Sequence, residues 1–159
     1  MRTLATLLVA CVSSLGADGP YLFQFPTMNK THVAFMFAGD LWTAPRAGGP
    51  ATRLTNGKGA EGEAHFSPDG ATIAFTGEYD GNVDVFTVPA TGGIPKRLTS
   101  HPETDHAVGW SPDGKRVLFM STRETFNKTP QLYSVSADGG FPEKLPFPMA
   151  SYGALSPDS

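Results

Sequence analysis

Apolar positions recur along this chain in sets of four. The second signal of each set alternates: Val33 and Phe35, then Ile73 and Phe75, then Val117 and Phe119. The third carries an aromatic at an equivalent place: Trp42, Phe86 and Tyr133. The first ends in a large apolar residue, Phe25, Phe66, Trp110 or Leu155, and the fourth is short and ends in Leu54, Leu98 or Leu145. Alternation with period two places each set on one face of a strand. The run Val83, Val85, Phe86 and Val88 is apolar on both faces, which predicts sheets covered on both sides.

The turns repeat in the same register. Phe66-Ser67-Pro68-Asp69-Gly70 returns as Trp110-Ser111-Pro112-Asp113-Gly114, and Leu155-Ser156-Pro157-Asp158 opens another copy. The spacing of about 44 residues is the period of a four-stranded propeller blade. The predicted fold is therefore all-β, a partial β-propeller of about three four-stranded blades plus the first strand of a fourth. Its blades cover about 21–55, 61–99 and 106–145, with the next starting over 151–159. Ser-Pro-Asp-Gly suits a hairpin between the first two strands, with Pro fixing φ and Asp bonding the local backbone. Gly48-Gly49, Gly92-Gly93 and Gly139-Gly140 predict tight primed turns between strands three and four. Blade one has Pro26-Thr27-Met28-Asn29-Lys30 in place of Ser-Pro-Asp-Gly, and Asn29 tolerates positive φ there.

Composition agrees with short strands and many turns: 18 Gly and 14 Pro in 159 residues, with only 17% charged. A net charge of -3 gives no electrostatic footprint for nucleic acid. Residues 1–17 have the pattern of a secretory signal: Arg2, an apolar run from Leu4 to Val12, then Ser13-Ser14-Leu15-Gly16-Ala17. The run falls short of the roughly 20 apolar residues of a stable membrane span. The expected location is periplasmic or secreted, with residues 18–159 as the propeller segment. In a competing reading, Leu8-Val9-Ala10-Cys11 is a lipobox and Cys11 carries a lipid anchor. If Cys11 leaves with the signal, the remainder has no cysteine, hence no disulfide or thiolate metal site.

Candidate chemistry is sparse. Asp80, Asn82 and Asp84 have the alternate oxygen spacing that opens a calcium loop, but Thr91 stands where its closing Glu belongs. They are weak metal candidates, and a polar hairpin tip explains them better. His101, Glu103, Asp105 and His106 read as an inter-blade loop. Glu61 and Glu63 fall on one strand face and read as solvated. No Gly-x-Ser-x-Gly elbow occurs, and Ser67 and Ser111 belong to the repeated turn, so no catalytic residue is assigned and no cofactor is implied. Tyr21, Trp42, Phe86, Trp110 and Tyr133 could line a channel, but their fixed place in each repeat favours packing between blades.

Several stretches are more specific than the turns. They are Gly39-Asp40-Leu41-Trp42, the segment from Phe75 to Asp84, Pro95-Lys96-Arg97-Leu98-Thr99 followed by His101-Pro102, and Leu145-Pro146-Phe147-Pro148-Met149-Ala150. With Gly109-Trp110-Ser111-Pro112-Asp113-Gly114 they resemble the N-terminal propeller of the Tricorn proteases, in particular bacterial exported homologues. The resemblance covers nearly all of residues 20–158, departing at Asn56-Gly57-Lys58-Gly59-Ala60 and at Ser159. It implies a long parent enzyme with a second propeller, a PDZ-like domain and a C-terminal serine-peptidase core, assembled as a homo-oligomer. Peptides would be the partners of the complete propeller. The family's catalytic Ser, His and Glu lie in the C-terminal region, so none has a counterpart here. The alternatives are a periplasmic Tol-type binding or scaffold propeller, or the propeller of a prolyl-oligopeptidase-like enzyme or exported amidohydrolase.

Overall fold

The computed structural model describes residues 22–57, 59–147 and 149–156. The proposed signal segment, Cys11 and Tyr21 lie outside the described residues. The chain forms three antiparallel sheets of four strands, each ordered as in the sequence. The first comprises β1 (Gln24–Met28), β2 (His32–Phe37), β3 (Asp40–Pro45) and β4 (Thr52–Arg53). The second comprises β5 (Glu61–Phe66), β6 (Thr72–Tyr79), β7 (Asn82–Pro89) and β8 (Lys96–Arg97). The third comprises β9 (Asp105–Trp110), β10 (Arg116–Ser121), β11 (Gln131–Ser136) and β12 (Glu143–Lys144). The first strands are neighbours, β1 beside β5 and β5 beside β9, so they form the inner wall of a partial propeller. The two-residue fourth strands are the outer edges.

Cross-strand pairing matches the repeat. Phe35 faces Trp42, Phe75 faces Phe86, and Phe119 faces Tyr133. In blades two and three these rings stack at 5.8 Å and 5.5 Å. Alternate residues then serve different neighbours. Ala34, Met36, Leu41 and Leu54 of blade one pack on Ile73, Phe75, Phe86 and Val88 of blade two. Ala74, Val85 and Leu98 of blade two pack on Val117, Phe119, Tyr133 and Val135 of blade three, with Trp110 against them. Phe86, Trp110 and Tyr133 thus serve inter-blade packing. Burying one such side chain contributes about 1.5–3 kcal/mol. Beyond blade three, residues 151–156 carry no strand, but Leu132, Tyr152, Gly153 and Leu155 line a common cleft beside blade three.

Ser-Pro-Asp-Gly closes the first hairpin in blades two and three. Ser67 donates to Asp69, Asp69 accepts from the Ala71 amide, and Thr72 N–H donates to Ser67 Oγ. The same bonds recur at Ser111, Asp113, Lys115 and Arg116.

Three details correct the sequence reading. The primed turns lie between strands two and three, not at the Gly-Gly pairs. Ala38-Gly39 (φ 54° and 87°) and Asp80-Gly81 (φ 58° and 78°) are two-residue hairpins with both central residues left-handed. The Gly-Gly pairs instead end longer connections. Gly48 N–H donates to Pro45 O, Gly92 to Pro89 and Gly139 to Ser136, and each glycine leaves the turn with positive φ. Asn29 works through its side chain rather than a positive φ: its Oδ1 accepts from the amides of Thr31 and His32. Finally, the counterpart of Phe66 and Trp110 in blade one is Met28, which faces Val33 as they face Ile73 and Val117. Phe25 sits at a bulge with φ 49°, matching Glu63 (φ 49°) in blade two.

Candidate functional site: the inner wall

Counting three residues back from Met28, Phe66, Trp110 and Leu155 gives Phe25, Glu63, Ala107 and Tyr152. They meet at a cleft of about 250 Å³, lined also by Pro26, His65 and Val108. For Phe25 and Glu63 the bulges explain the direction. Pleating alone would send alternate side chains of a first strand into the blade junctions; an extra residue re-aims the strand locally. One side of the cleft is apolar, with Phe25 and Tyr152 49% and 77% exposed. The other is ionisable.

Glu63 Oε2 accepts from Thr76 Oγ1 at 2.6 Å and lies 3.0 Å from His106 Nδ1 on the next inner strand. Burial works against the charge of Glu63, but the hydrogen bonds from His106 and Thr76 outweigh it and hold the carboxyl below its ordinary value. The hydrogen bond to Glu63, with its charge, raises His106 against the effect of burial. Burial lowers His65, even though its ring bonds to Ala107 and sits near Glu63. The wall therefore presents one carboxylate, one imidazole inclined to protonate and one inclined to stay neutral. The Glu63–His106 pair was not legible in the sequence: its partners are 43 residues apart and occupy different places in their repeats.

A second set of charges locks the blades from within. Asp40 pairs with Arg53 at 2.7 Å, and Asp84 occupies the same place in blade two and pairs with Arg97. Asp84 is fully buried and also accepts from Asn82 Nδ2 at 2.9 Å and Thr99 Oγ1 at 3.2 Å. This bears on the weak metal candidates. Asn82 turns its nitrogen toward Asp84 and toward the His101 carbonyl, Asp84 faces a guanidinium, and Asp80 is taken up in the hairpin turn. Among the described residues, no group of three or more His, Cys, Asp and Glu side chains is placed to hold a metal ion.

His101 and Glu103 lie in the connection before β9, whereas Asp105 and His106, expected in the same loop, open β9 itself, and the four side chains diverge. His101 Nδ1 accepts from the Glu103 amide, Glu103 pairs with Lys128 at 2.5 Å, and His106 joins Glu63. Asp105 turns inward to Arg123 at 2.5 Å, beneath a guanidinium that also lies over the rings of Phe119 and Tyr133. Glu61 is not solvated as its spacing suggested. It is buried, receives the Leu41 amide at 2.8 Å and hydroxyl bonds from Thr55 and Tyr79, and its carboxyl is raised by burial above its ordinary value.

Repeating sheets joined through alternating faces, with first strands around a common wall, define a segment of a β-propeller. The chain belongs to the family described as the Tricorn protease N-terminal beta propeller domain, which matches residues 20–159. Solved structures agree on the fold. TolB from Acinetobacter baumannii is 26% identical with a TM-score of 0.71, over 87% of this chain and 36% of that one. An Agrobacterium tumefaciens protein described as a TolB is 27% identical with a TM-score of 0.66, over 81% of this chain and 47% of that one. The tricorn protease is 23% identical with a TM-score of 0.67, over 76% of this chain and 13% of that one. This chain thus spans less than half the length of each. No curated protein matches it. Among the described residues, no helix is long and apolar enough to cross a membrane.

Proposed function

We propose that residues 18–159 are part of the N-terminal propeller of an exported, Tricorn-like serine peptidase, and that the inner wall guides peptides. One observation carries this reading. Phe25, Glu63 and Tyr152 share one position with Ala107 of the blade-two and blade-three core, but differ in chemistry and face a common cleft. Side chains released from blade packing and open to solvent are free to meet a ligand. The family match supports a peptidase context. In this reading the bond-breaking residues belong to a downstream domain, residues 1–17 are a secretory signal, and the whole protein is a homo-oligomer.

The test is peptide hydrolysis by the complete gene product, with mass analysis of its mature N-terminus. The reading expects cleavage of short peptides that a serine-directed covalent inhibitor abolishes, and a mature chain starting near Asp18. Absence of hydrolysis contradicts it, and a lipidated Cys11 contradicts the cleavage site. A second reading, a Tol-type binding or scaffold propeller, is favoured by the likeness to two TolB structures. It expects a folded protein partner and no peptidase activity.

A further inference from the structure

We propose that the inner-wall cleft is selective for a cationic group carried by a peptide, held by Glu63 between the rings of Phe25 and Tyr152. The proposal rests on the peptide-guiding reading and names the chemistry of its ligand. The cleft joins one carboxylate to two exposed aromatic side chains, with apolar Pro26 and Val108 and the ring of His65 also in its lining. A carboxylate beside aromatic faces attracts an ammonium or guanidinium through charge and through the ring quadrupole. An anionic group would meet Glu63 head on.

The carboxylate is also held in place. Thr76 and His106 both bond to Oε2, on the blade-two sheet and on β9 respectively. Charge within reach of Glu63 comes from few groups. From β5 there is His65, which burial inclines to neutrality, and from β9 there is His106. Asp105, also on β9, is directed to Arg123, and Glu61 is directed to Leu41, Thr55 and Tyr79 of the blade one and two junction. Phe25 and Pro26 of β1 carry no charge. When His106 is protonated it compensates Glu63; when it loses its proton, the carboxylate is left uncompensated. Attraction for a cation therefore strengthens as pH rises through the titration of His106.

The test is a binding titration of the full-length chain with three peptides: acetyl-Gly-Lys-Gly-amide, acetyl-Gly-Met-Gly-amide, and Gly-Met-Gly-amide with a free N-terminus. The lysine peptide is expected to bind about tenfold more tightly than its blocked methionine counterpart, about 1.4 kcal/mol. Glu63→Gln retains the acceptor for Thr76 and His106 and should abolish that difference, while Glu78→Gln on the exposed part of β6 should not. Phe25→Ala and Tyr152→Ala should each reduce it severalfold. The free-terminus peptide separates a side-chain site from one for the α-ammonium: tight binding of either cation supports the proposal. Equal affinity for all three overturns the cation selectivity and leaves peptide guiding standing. Binding of none overturns both.

Discussion

Trp110 donates its indole N–H to the main-chain carbonyl of His65 at 2.9 Å, while the same ring packs into the core between blades two and three. One side chain therefore ties neighbouring inner strands by polar and apolar contact together. Trp110→Phe retains a ring and strands the carbonyl, and should cost about 1 kcal/mol. Trp110→Ala removes both and should cost about 3–5 kcal/mol. Denaturant unfolding of the two variants checks the difference.

Asp40 and Asp84 occupy the same place in successive blades but are not equally buried. Arg53 is 45% exposed, so Asp40→Ala should cost within about 1 kcal/mol. Asp84 is fully enclosed and holds Arg97, Thr99 and Asn82. Asp84→Ala should cost about 3 kcal/mol, near the lower end for a broken buried pair because Arg97 still reaches water. Equal losses in thermal unfolding would contradict this ranking.

The Glu63–His106 pair makes stability depend on pH in two directions. The folded state raises His106, so its contribution is complete below the ordinary 6.5 and is lost as pH rises through the higher folded value. The folded state lowers Glu63, so its contribution is present above the ordinary 4.5 and is lost as pH falls through the lower folded value. The stability gap between the native chain and His106→Gln should therefore be widest between about 4.5 and 6.5 and shrink at alkaline pH. A gap that stays constant to pH 9 would show that the pair contributes no such linkage.

Ala38 holds a left-handed conformation in a turn where blade two uses Asp80. Left-handed backbone costs an ordinary side chain roughly 1–2 kcal/mol, and Asn escapes part of it by local hydrogen bonding. Ala38→Asn should stabilise the chain by about 0.5–1 kcal/mol, seen as a raised denaturation midpoint.

Much of the fold was legible because every blade solves the same packing problem. Phe35, Phe75 and Phe119 announce the second strands, and Trp42, Phe86 and Tyr133 their partners, since a blade enclosed on two sides needs bulk at those places. The turns were harder. Gly-Gly looks like a primed turn, but the length of the connection decides the turn type, and Ala38 gives no sign of positive φ. Phe25 is large and reads as the strand-ending residue; the bulge shifts that place to Met28. The inner wall was largely hidden. Repetition reports what blades share, and a wall that meets a ligand is built from what they do not share. The position of Phe25, Glu63, Ala107 and Tyr152 varies within the repeat frame, but so does that of Thr27, His65, Gly109 and Ala154, so variation alone does not single out the cleft. Nor was there a signal for the partner of His106, which is set by how adjacent inner strands align.

The most direct test of the inner wall is site-specific photo-crosslinking. A benzophenone side chain placed at Val108 of the full-length chain faces the cleft; the same probe at Lys96 sits on an outer edge strand. If the wall guides peptides, a labelled lysine peptide crosslinks at position 108, is displaced by unlabelled peptide, and leaves position 96 unmarked. Crosslinking at position 96 alone, or equal labelling at both that competitor does not displace, would contradict a ligand-facing inner wall.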